Sequence, residues 1–222
     1  MIKDLVAVAH GTRQLQGQLV VKSLINRVQN MRPDLRVHLS FIEIQSPSLG
    51  QVLQQVPNCV VVPLLLSRGY HISQDIEETV RKISPDIAIA DPLGPDPILA
   101  QILTQRLIDA GVKKQDSVVL AAAGSSRFVA CQDVEDLAEL VSFYFGKTVK
   151  PAYISSMTPY VGEVVREYKT SPSSKVAVAT YLLAPGTFSN QLDHCGANLV
   201  TEPIGDNDQL AKLILTRFEQ AQ

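Results

Sequence analysis

Short apolar runs alternate with amphipathic stretches along the whole chain. Residues 5–9, 35–44, 59–66 and 87–90 have the apolar density of buried strands. Residues 14–31, about 48–56, 73–82 and 96–110 carry the spacing of helices that bury one face. Strands that alternate with helices in this way are typical of a parallel sheet covered by helices on both faces.

The same pattern begins again at residue 117 and runs to the end of the chain. Residues 153–162 match residues 41–50 at an offset of 112, and Ala-Gly-Ser-Ser-Arg at 123–127 resembles Ala-His-Gly-Thr-Arg at 9–13, with Ala123 at the place of His10. Residues 176–186 resemble the third strand and its loop, and residues 202–205 resemble residues 91–94. Four matches in the same order indicate an internal duplication.

The duplication predicts an α/β fold of two similar domains, residues 1–112 and 117–222, joined near residue 114. Each domain is expected to hold a mostly four-stranded parallel sheet with helices on both faces. We expect the active cleft between the two domains, because concave sites commonly form there.

Reactive side chains follow the first three strands of the first half. His10 ends the first strand, Glu43 ends the second, and His71 lies in the loop after the third. The carboxyl ends of parallel strands meet at one edge, where open α/β sheets bind their ligands. The second half has Ala123, Ser155 and Phe188 at the corresponding places. Because the fold does not need the three reactive groups twice, we interpret His10, Glu43 and His71 as one site.

Two imidazoles and a carboxylate allow two kinds of chemistry. They are ligands for iron, cobalt, nickel or zinc, and they are proton acceptors near neutral pH. The residue types do not decide between these roles. The alternative is that each residue is individually ordinary: a helix-capping histidine, an exposed glutamate and a loop histidine.

Other polar residues have weaker claims to a function. Arg13 and Arg68 flank the predicted site and could pair with carboxylates of a substrate. Thr12 is predicted as the N-cap of the first helix and as a further substrate contact. His38 lies inside the second strand, where a side chain against a helix layer or at an exposed edge accounts for it.

Composition narrows the function classes. A net charge of −2 argues against nucleic-acid binding, and no apolar run approaches the roughly 20 residues of a membrane helix. The start of the chain lacks a signal-peptide pattern, so a cytoplasmic location without membrane attachment is expected. Three widely spaced cysteines indicate neither a disulfide framework nor a zinc site. No phosphate-binding glycine motif or hydrolase elbow is present.

Several motifs together resemble the sirohydrochlorin chelatases, the ATP-independent class II chelatases of siroheme and cobalamin synthesis. The resemblance covers essentially the whole chain, in the long form of the family with two fused halves. It is carried by Ala-His-Gly-Thr-Arg (9–13), Phe-Ile-Glu-Ile (41–44) with Ser-Pro-Ser-Leu (46–49), Val-Val-Val-Pro-Leu-Leu-Leu (60–66) followed by Gly-Tyr-His (69–71), and Leu-Leu-Ala-Pro-Gly-Thr-Phe (182–188).

The resemblance implies insertion of Fe²⁺ or Co²⁺ into the tetrapyrrole sirohydrochlorin, with the metal as a substrate and no organic cofactor. It implies that His10 and His71 are the metal-site histidines and that Glu43 is the acidic residue. Because sirohydrochlorin carries many carboxylates, Arg13, Arg68 and Thr12 are expected to contact it. A monomer or a homodimer is expected.

Two other functions fit the same residues. One is a carrier that binds the tetrapyrrole or the metal in the same cleft without turnover. The other is a metal-dependent hydrolase, since a site of two histidines and a carboxylate also activates water.

Overall fold

The computed structural model describes residues 4–69, 72–170 and 175–222. The strands are β1 (Asp4–Ala9), β2 (Val37–Phe41), β3 (Cys59–Pro63), β4 (Ala88–Ile89), β5 (Ser117–Ala122), β6 (Val149–Tyr153), β7 (Val176–Tyr181) and β8 (Leu199–Val200). The helices are α1 (Leu15–Met31), α2 (Leu49–Gln55), α3 (Glu77–Ile83), α4 (Pro97–Asp109), α5 (Phe128–Phe145), α6 (Val161–Tyr168), α7 (Thr187–Leu192) and α8 (Asp208–Gln220). A π-helical segment, Ile72–Ile76, leads directly into α3.

The first sheet has the strand order β2-β1-β3-β4, with every pair parallel. Its central strand β1 is buried at all six positions, because helices cover both faces and the strand carries almost only apolar side chains. The second sheet repeats this arrangement in the order β6-β5-β7-β8, again parallel throughout. The predicted fold of two four-stranded parallel sheets is therefore confirmed.

The described residues divide into two compact units that do not follow the sequence halves. The first unit comprises the chain up to Gly94 together with Gly205–Gln222, and the second is Pro95–Ile204. Helix α4 packs on α5 and β7 of the second unit, and α8 packs on α1 and β3 of the first. Thus α4, the last helix of the first sequence half, packs on the second sheet, and α8, the last helix of the second half, packs on the first sheet. The boundaries 1–112 and 117–222 remain a prediction about the duplicated sequence.

The local signals for helix starts succeed in part. Ser48 is the N-cap of α2 and forms a capping box with Gln51, and Asp96 caps α4. The helix predicted over residues 73–82 starts at a residue, Ser73, whose side chain lies outside the described part of the chain, and α3 begins only at Glu77. Within the described ranges, no helix combines the length and the apolarity needed to cross a bilayer.

An ion-pair network holds the start of α8 against α1. Arg27 donates from Nε to Asp206 Oδ1 at 2.6 Å and from Nη2 to Asp206 Oδ2 at 3.1 Å, and Ser23 donates to Asp206 at 2.5 Å. These hydrogen bonds, chiefly those from Arg27, hold the pKa of the Asp206 carboxyl below its usual range. The network helps to keep the last helix on the first unit.

Replacing Asp206 by asparagine is expected to destabilise the protein by about 1 kcal/mol at pH 7. A lowered pKa in the folded state adds stability above the unfolded value of about 3.9, and this stability is lost as the pH falls through the folded value. The difference between wild type and Asp206→Asn should therefore shrink towards pH 3.5 or below. Urea unfolding at both pH values measures it.

Asp208 supplies a matched control for this prediction. It accepts from the same guanidinium at 2.6 Å, but its side chain is 63% exposed, against 15% for Asp206. Asp208→Asn should change the stability by less than about 0.5 kcal/mol at pH 7. If both variants lose the same free energy of unfolding, the burial of Asp206 does not make its ion pair more stabilising than that of Asp208.

Candidate functional site

The structure brings His10 and Glu43 together at the carboxyl edge of the first sheet. His10 directly follows β1 and Glu43 lies two residues after β2, its parallel neighbour. Backbone pairing continues past both strand ends: Ile42 N–H donates to Ala9 O at 2.9 Å, and Glu43 N–H donates to His10 O at 3.1 Å. As a result, His10 Nε2 lies 3.1 Å from Glu43 Oε1.

Gly11 is required for this close pairing of the two loops. Its φ is +103°, and a Cβ added there would lie 2.0 Å from the carbonyl oxygen of Glu43. That oxygen belongs to the backbone and has no rotamer to move away. Only glycine therefore lets the chain turn directly after His10 while Glu43 stays beside it.

The second unit has the same backbone turn with other side chains. Ile154 N–H donates to Ala122 O at 2.9 Å, and Ser155 N–H donates to Ala123 O at 3.0 Å. Gly124 has a φ of +97°, and its added Cβ would lie 1.8 Å from Ser155 O. The structure thus places Ala123 where the first unit has His10, and Ser155 where it has Glu43.

The hydrogen bonds of His10 suit a cation beside Nε2. Nδ1 lies 3.3 Å from Gly11 O, while Nε2 faces the carboxylate of Glu43. Gly11 O and the Glu43 carboxylate both accept hydrogen bonds, whereas a neutral imidazole has only one N–H to donate. A metal ion between Nε2 and Glu43 would take the place of one hydrogen and leave Nδ1–H for Gly11 O. Metal-binding histidines commonly orient their second nitrogen in this way.

The distance within the pair also fits a metal ion. Two ligand bonds of about 2.1 Å that meet at a right angle separate their donor atoms by about 3.0 Å. His10 Nε2 and Glu43 Oε1 are 3.1 Å apart, so they can occupy neighbouring positions around one ion without moving far. Their side chains are 41% and 52% exposed, which leaves room for exchangeable ligands.

The third predicted ligand, His71, lies outside the described residues, so its place in the site stays a prediction. Within the ranges that the structure describes, no group of three or more His, Cys, Asp and Glu side chains could hold a metal ion. The pair of His10 and Glu43 thus needs further ligands, from solvent, a substrate or a residue outside those ranges.

Thr12 connects the two loops of the site, although its predicted capping role is wrong. Helix α1 begins at Leu15 with Gln14 in the N-cap position, two residues after Thr12. Thr12 instead accepts from Gln14 N–H through its hydroxyl at 3.1 Å, and its own N–H donates to the side chain of Gln45 at 2.9 Å. Gln45 is therefore a positioning residue for the loop after β1, and no motif in the sequence indicates this role.

The remaining predicted residues lie at different places. Arg13 and Arg68 are exposed on the loops that follow β1 and β3, at the same sheet edge as His10. Their contact with a substrate stays a prediction. His38 lies elsewhere, since its Nε2 is 3.0 Å from the carboxylate of Asp4, whose other oxygen accepts from Arg36 at 3.0 Å. Asp4 begins β1, whereas His10 follows its end, so His38 belongs to the opposite edge.

Ile44, directly after Glu43, has an unusual backbone conformation. Its φ is +69°, in the left-handed region that β-branched residues rarely adopt, and its side chain is exposed. The corresponding Ser156 has a φ of +60°, so the conformation belongs to the turn. A smaller polar residue would adopt this left-handed conformation at a lower energetic cost than isoleucine does.

Replacing Ile44 by asparagine is expected to stabilise the protein by about 1 kcal/mol, because asparagine tolerates this conformation better. Denaturant unfolding of the variant measures the gain. Ile108→Asn is the control, since Ile108 is equally exposed but lies in helix α4 with ordinary backbone angles. A loss of stability in Ile44→Asn would contradict the proposed strain.

Curated relatives match most of the chain or about one half of it. A curated relative from Priestia megaterium, named sirohydrochlorin ferrochelatase, is 26% identical over 198 residues, which are 83% of this chain and 74% of the relative. A sirohydrochlorin cobaltochelatase from Sulfurisphaera tokodaii is 33% identical over 106 residues, which are 45% of this chain and 87% of the relative. This short relative thus corresponds to about one half of the duplicated chain.

Solved structures share the fold. SirB from Bacillus subtilis, solved with Fe³⁺, has a TM-score of 0.85 at 23% identity and covers 100% of this chain and 96% of its own. A structure of CbiX, described as the terminal enzyme of siroheme biosynthesis in denitrifying bacteria, has a TM-score of 0.74 at 18% identity and covers 99% and 100%. A sequence model of the family described as CbiX matches residues 4–110 and 117–221. Because this model matches both halves, the chain belongs to the CbiX family.

Proposed function

We propose that the protein is a sirohydrochlorin chelatase, which inserts Fe²⁺ or Co²⁺ into sirohydrochlorin without ATP. The observation that carries the proposal is the 3.1 Å pair of His10 and Glu43 at a sheet edge whose counterpart in the second unit has neither group. Relatives named as ferrochelatase and as cobaltochelatase support the same activity.

In this proposal, His10 and Glu43 bind the incoming metal ion, and His71 supplies a further ligand. Nitrogen and oxygen donors hold first-row divalent ions, and the exposure of both side chains allows the ion to be passed on. A site closed by four protein ligands would retain its metal. A partly open pair is therefore better suited to an ion that is a substrate.

Metal insertion also releases two protons from the pyrrole nitrogens of the macrocycle. In our proposal Glu43 accepts the two protons one after the other and passes each to water, because its carboxylate lies beside His10 Nε2 and is 52% exposed. His10 keeps its orientation through the contact between Nδ1 and Gly11 O at 3.3 Å. In this proposal His10 binds the metal ion, while Glu43 first helps to bind it and then accepts the released protons.

The carboxylates of sirohydrochlorin need positive or hydrogen-bonding partners. Arg13 and Arg68 are exposed on loops at the same edge as His10, and we assign them to these carboxylates. We assign Thr12 to the same carboxylates. It lies next to Arg13 in the loop after β1, and its N–H donates to the Gln45 side chain. The donor set does not distinguish Fe²⁺ from Co²⁺, since both accept imidazole and carboxylate ligands.

The test is an anaerobic reaction of the purified protein with sirohydrochlorin and Fe²⁺, Co²⁺ or Ni²⁺, followed by absorbance. We expect multiple turnovers with Fe²⁺ or Co²⁺, well above the rate without protein. A rate equal to the protein-free rate for every metal would contradict the proposal. A single turnover with tightly retained product would instead identify a tetrapyrrole carrier.

A further inference from the structure

Exposed aromatic side chains lie at the carboxyl edge of the second sheet. Phe128 begins α5 directly after the loop from β5, Tyr160 precedes α6 after β6, and Phe188 lies in α7 after β7. The three strands are neighbours in the order β6-β5-β7, so the three loops share one edge. We call Phe128, Tyr160 and Phe188 the aromatic edge.

The core does not account for these rings. Phe128 is 78% exposed, Tyr160 43% and Phe188 39%. Large apolar side chains that are exposed together on one part of the surface commonly mark a binding site. A separate reason for their presence is therefore needed.

The duplication indicates that the fold does not need an aromatic ring at two of these three positions. Phe128 and Leu15 each lie six residues after the end of the first strand in their unit. Tyr160 corresponds to Ser48, because each forms an isolated bridge to the last residue of the preceding strand. The same turns thus carry leucine and serine in the first unit, and the aromatic residues are particular to the second.

The charges around the aromatic edge favour an acidic ligand. Its three loops, residues 123–127, 154–159 and 182–187, contain no Asp or Glu and one charged residue, Arg127. They are rich in hydroxyl groups instead, at Ser125, Ser126, Ser156, Thr158 and Thr187, besides Ser155, whose hydroxyl donates to Ala123 O at 3.0 Å. An edge of this composition does not repel carboxylates, and its hydroxyl groups can donate to them.

We propose that the aromatic edge binds the tetrapyrrole through stacking of its rings on the conjugated macrocycle, with the hydroxyl-rich loops next to the carboxylates. Flat conjugated ligands stack favourably on aromatic side chains. The inference rests on the proposed function and adds to it a role for the unit that lacks the metal-binding pair. The role of the second unit in this proposal is to contribute affinity for the tetrapyrrole.

Phe143 supplies a matched control. It belongs to the same helix α5 and is also 78% exposed. It lies fifteen residues after Phe128, which is about 22 Å along a helix axis, and therefore far from the sheet edge. Phe143→Ala removes an equally exposed ring from the same helix without touching the aromatic edge.

The experiment is an anaerobic, metal-free titration of the full-length protein with sirohydrochlorin, followed by absorbance. Each lost ring should raise Kd about two- to tenfold, so the double variant Phe128→Ala/Phe188→Ala should bind at least several times more weakly than wild type. Phe143→Ala should bind like wild type. In the insertion assay, the double variant should show a raised KM with kcat within about twofold, because His10 and Glu43 are unchanged.

Thermal melting of each variant checks that the fold is retained. A double variant that is folded and binds sirohydrochlorin like wild type overturns the inference, and so does an equal loss in Phe143→Ala. If wild type inserts metal while the double variant binds normally, the proposed function stands without the inference. If the double variant binds more weakly but wild type never inserts metal, the binding site stands and the chelatase function fails.

Discussion

Replacing His10 by alanine is expected to reduce metal insertion to the protein-free rate. His10 provides the imidazole nitrogen of the pair, and its Nε2 lies 3.1 Å from Glu43. Without it, Glu43 alone faces the metal position, and one carboxylate holds a first-row ion weakly. The insertion assay with Co²⁺ or Fe²⁺ measures the loss, which we expect to exceed about 100-fold.

The same substitution should leave the fold intact. The second unit has Ala123 at this position, with the same hydrogen bond from the following loop, so alanine is compatible with the turn. The side chain of His10 is 41% exposed and contributes little to the core. The melting temperature should therefore stay close to that of wild type. Full insertion activity in a folded His10→Ala variant would remove His10 from the mechanism.

Replacing Gly11 by alanine is expected to destabilise the protein strongly, by about 3 kcal/mol or more. The added Cβ would lie 2.0 Å from Glu43 O, in a residue whose φ is +103°. The loops after β1 and β2 would have to separate, which weakens the backbone hydrogen bond from Glu43 to His10. Urea unfolding measures the loss, and metal insertion should fall with it because the pair is pulled apart.

Gly124→Ala is the comparison that separates the fold from the chemistry. Its Cβ would meet Ser155 O at 1.8 Å, and its φ is +97°, so its loss of stability should equal that of Gly11→Ala. Ala123 and Ser155 hold no metal, so Co²⁺ binding by the folded Gly124→Ala protein should match wild type. If Gly124→Ala is as stable as wild type, the view that the fold requires glycine at this turn in both units is contradicted.

The sequence predicts the sheets well because their signals are local. The apolar run before His10 and its counterpart before Ala123 both form central strands, and the two sheets have the same strand order. The pairing of His10 with Glu43 follows from the same reasoning, since the ends of adjacent parallel strands meet at one edge. Family membership, indicated by short motifs, is confirmed by the match to both halves.

Other features depend on packing that has no local signal. The exchange of α4 and α8 between the two units follows from which sheet each apolar helix face covers, and both helices have similar apolar patterns. Thr12 fails as a helix cap because α1 begins only at Leu15, and its contact with Gln45, 33 residues away in sequence, has no local signal. The left-handed conformation of Ile44 is equally hidden, since the residue type argues against it.

The most direct test of the account is the equilibrium affinity for Co²⁺ in the absence of tetrapyrrole, compared among wild type, His10→Ala and His38→Ala. His38 is the matched imidazole, since it lies in the same unit but pairs with Asp4 at 3.0 Å. We predict that His10→Ala binds Co²⁺ at least about tenfold more weakly than wild type, while His38→Ala keeps the wild-type affinity. Equal affinity in all three proteins would contradict a metal site at His10 and Glu43.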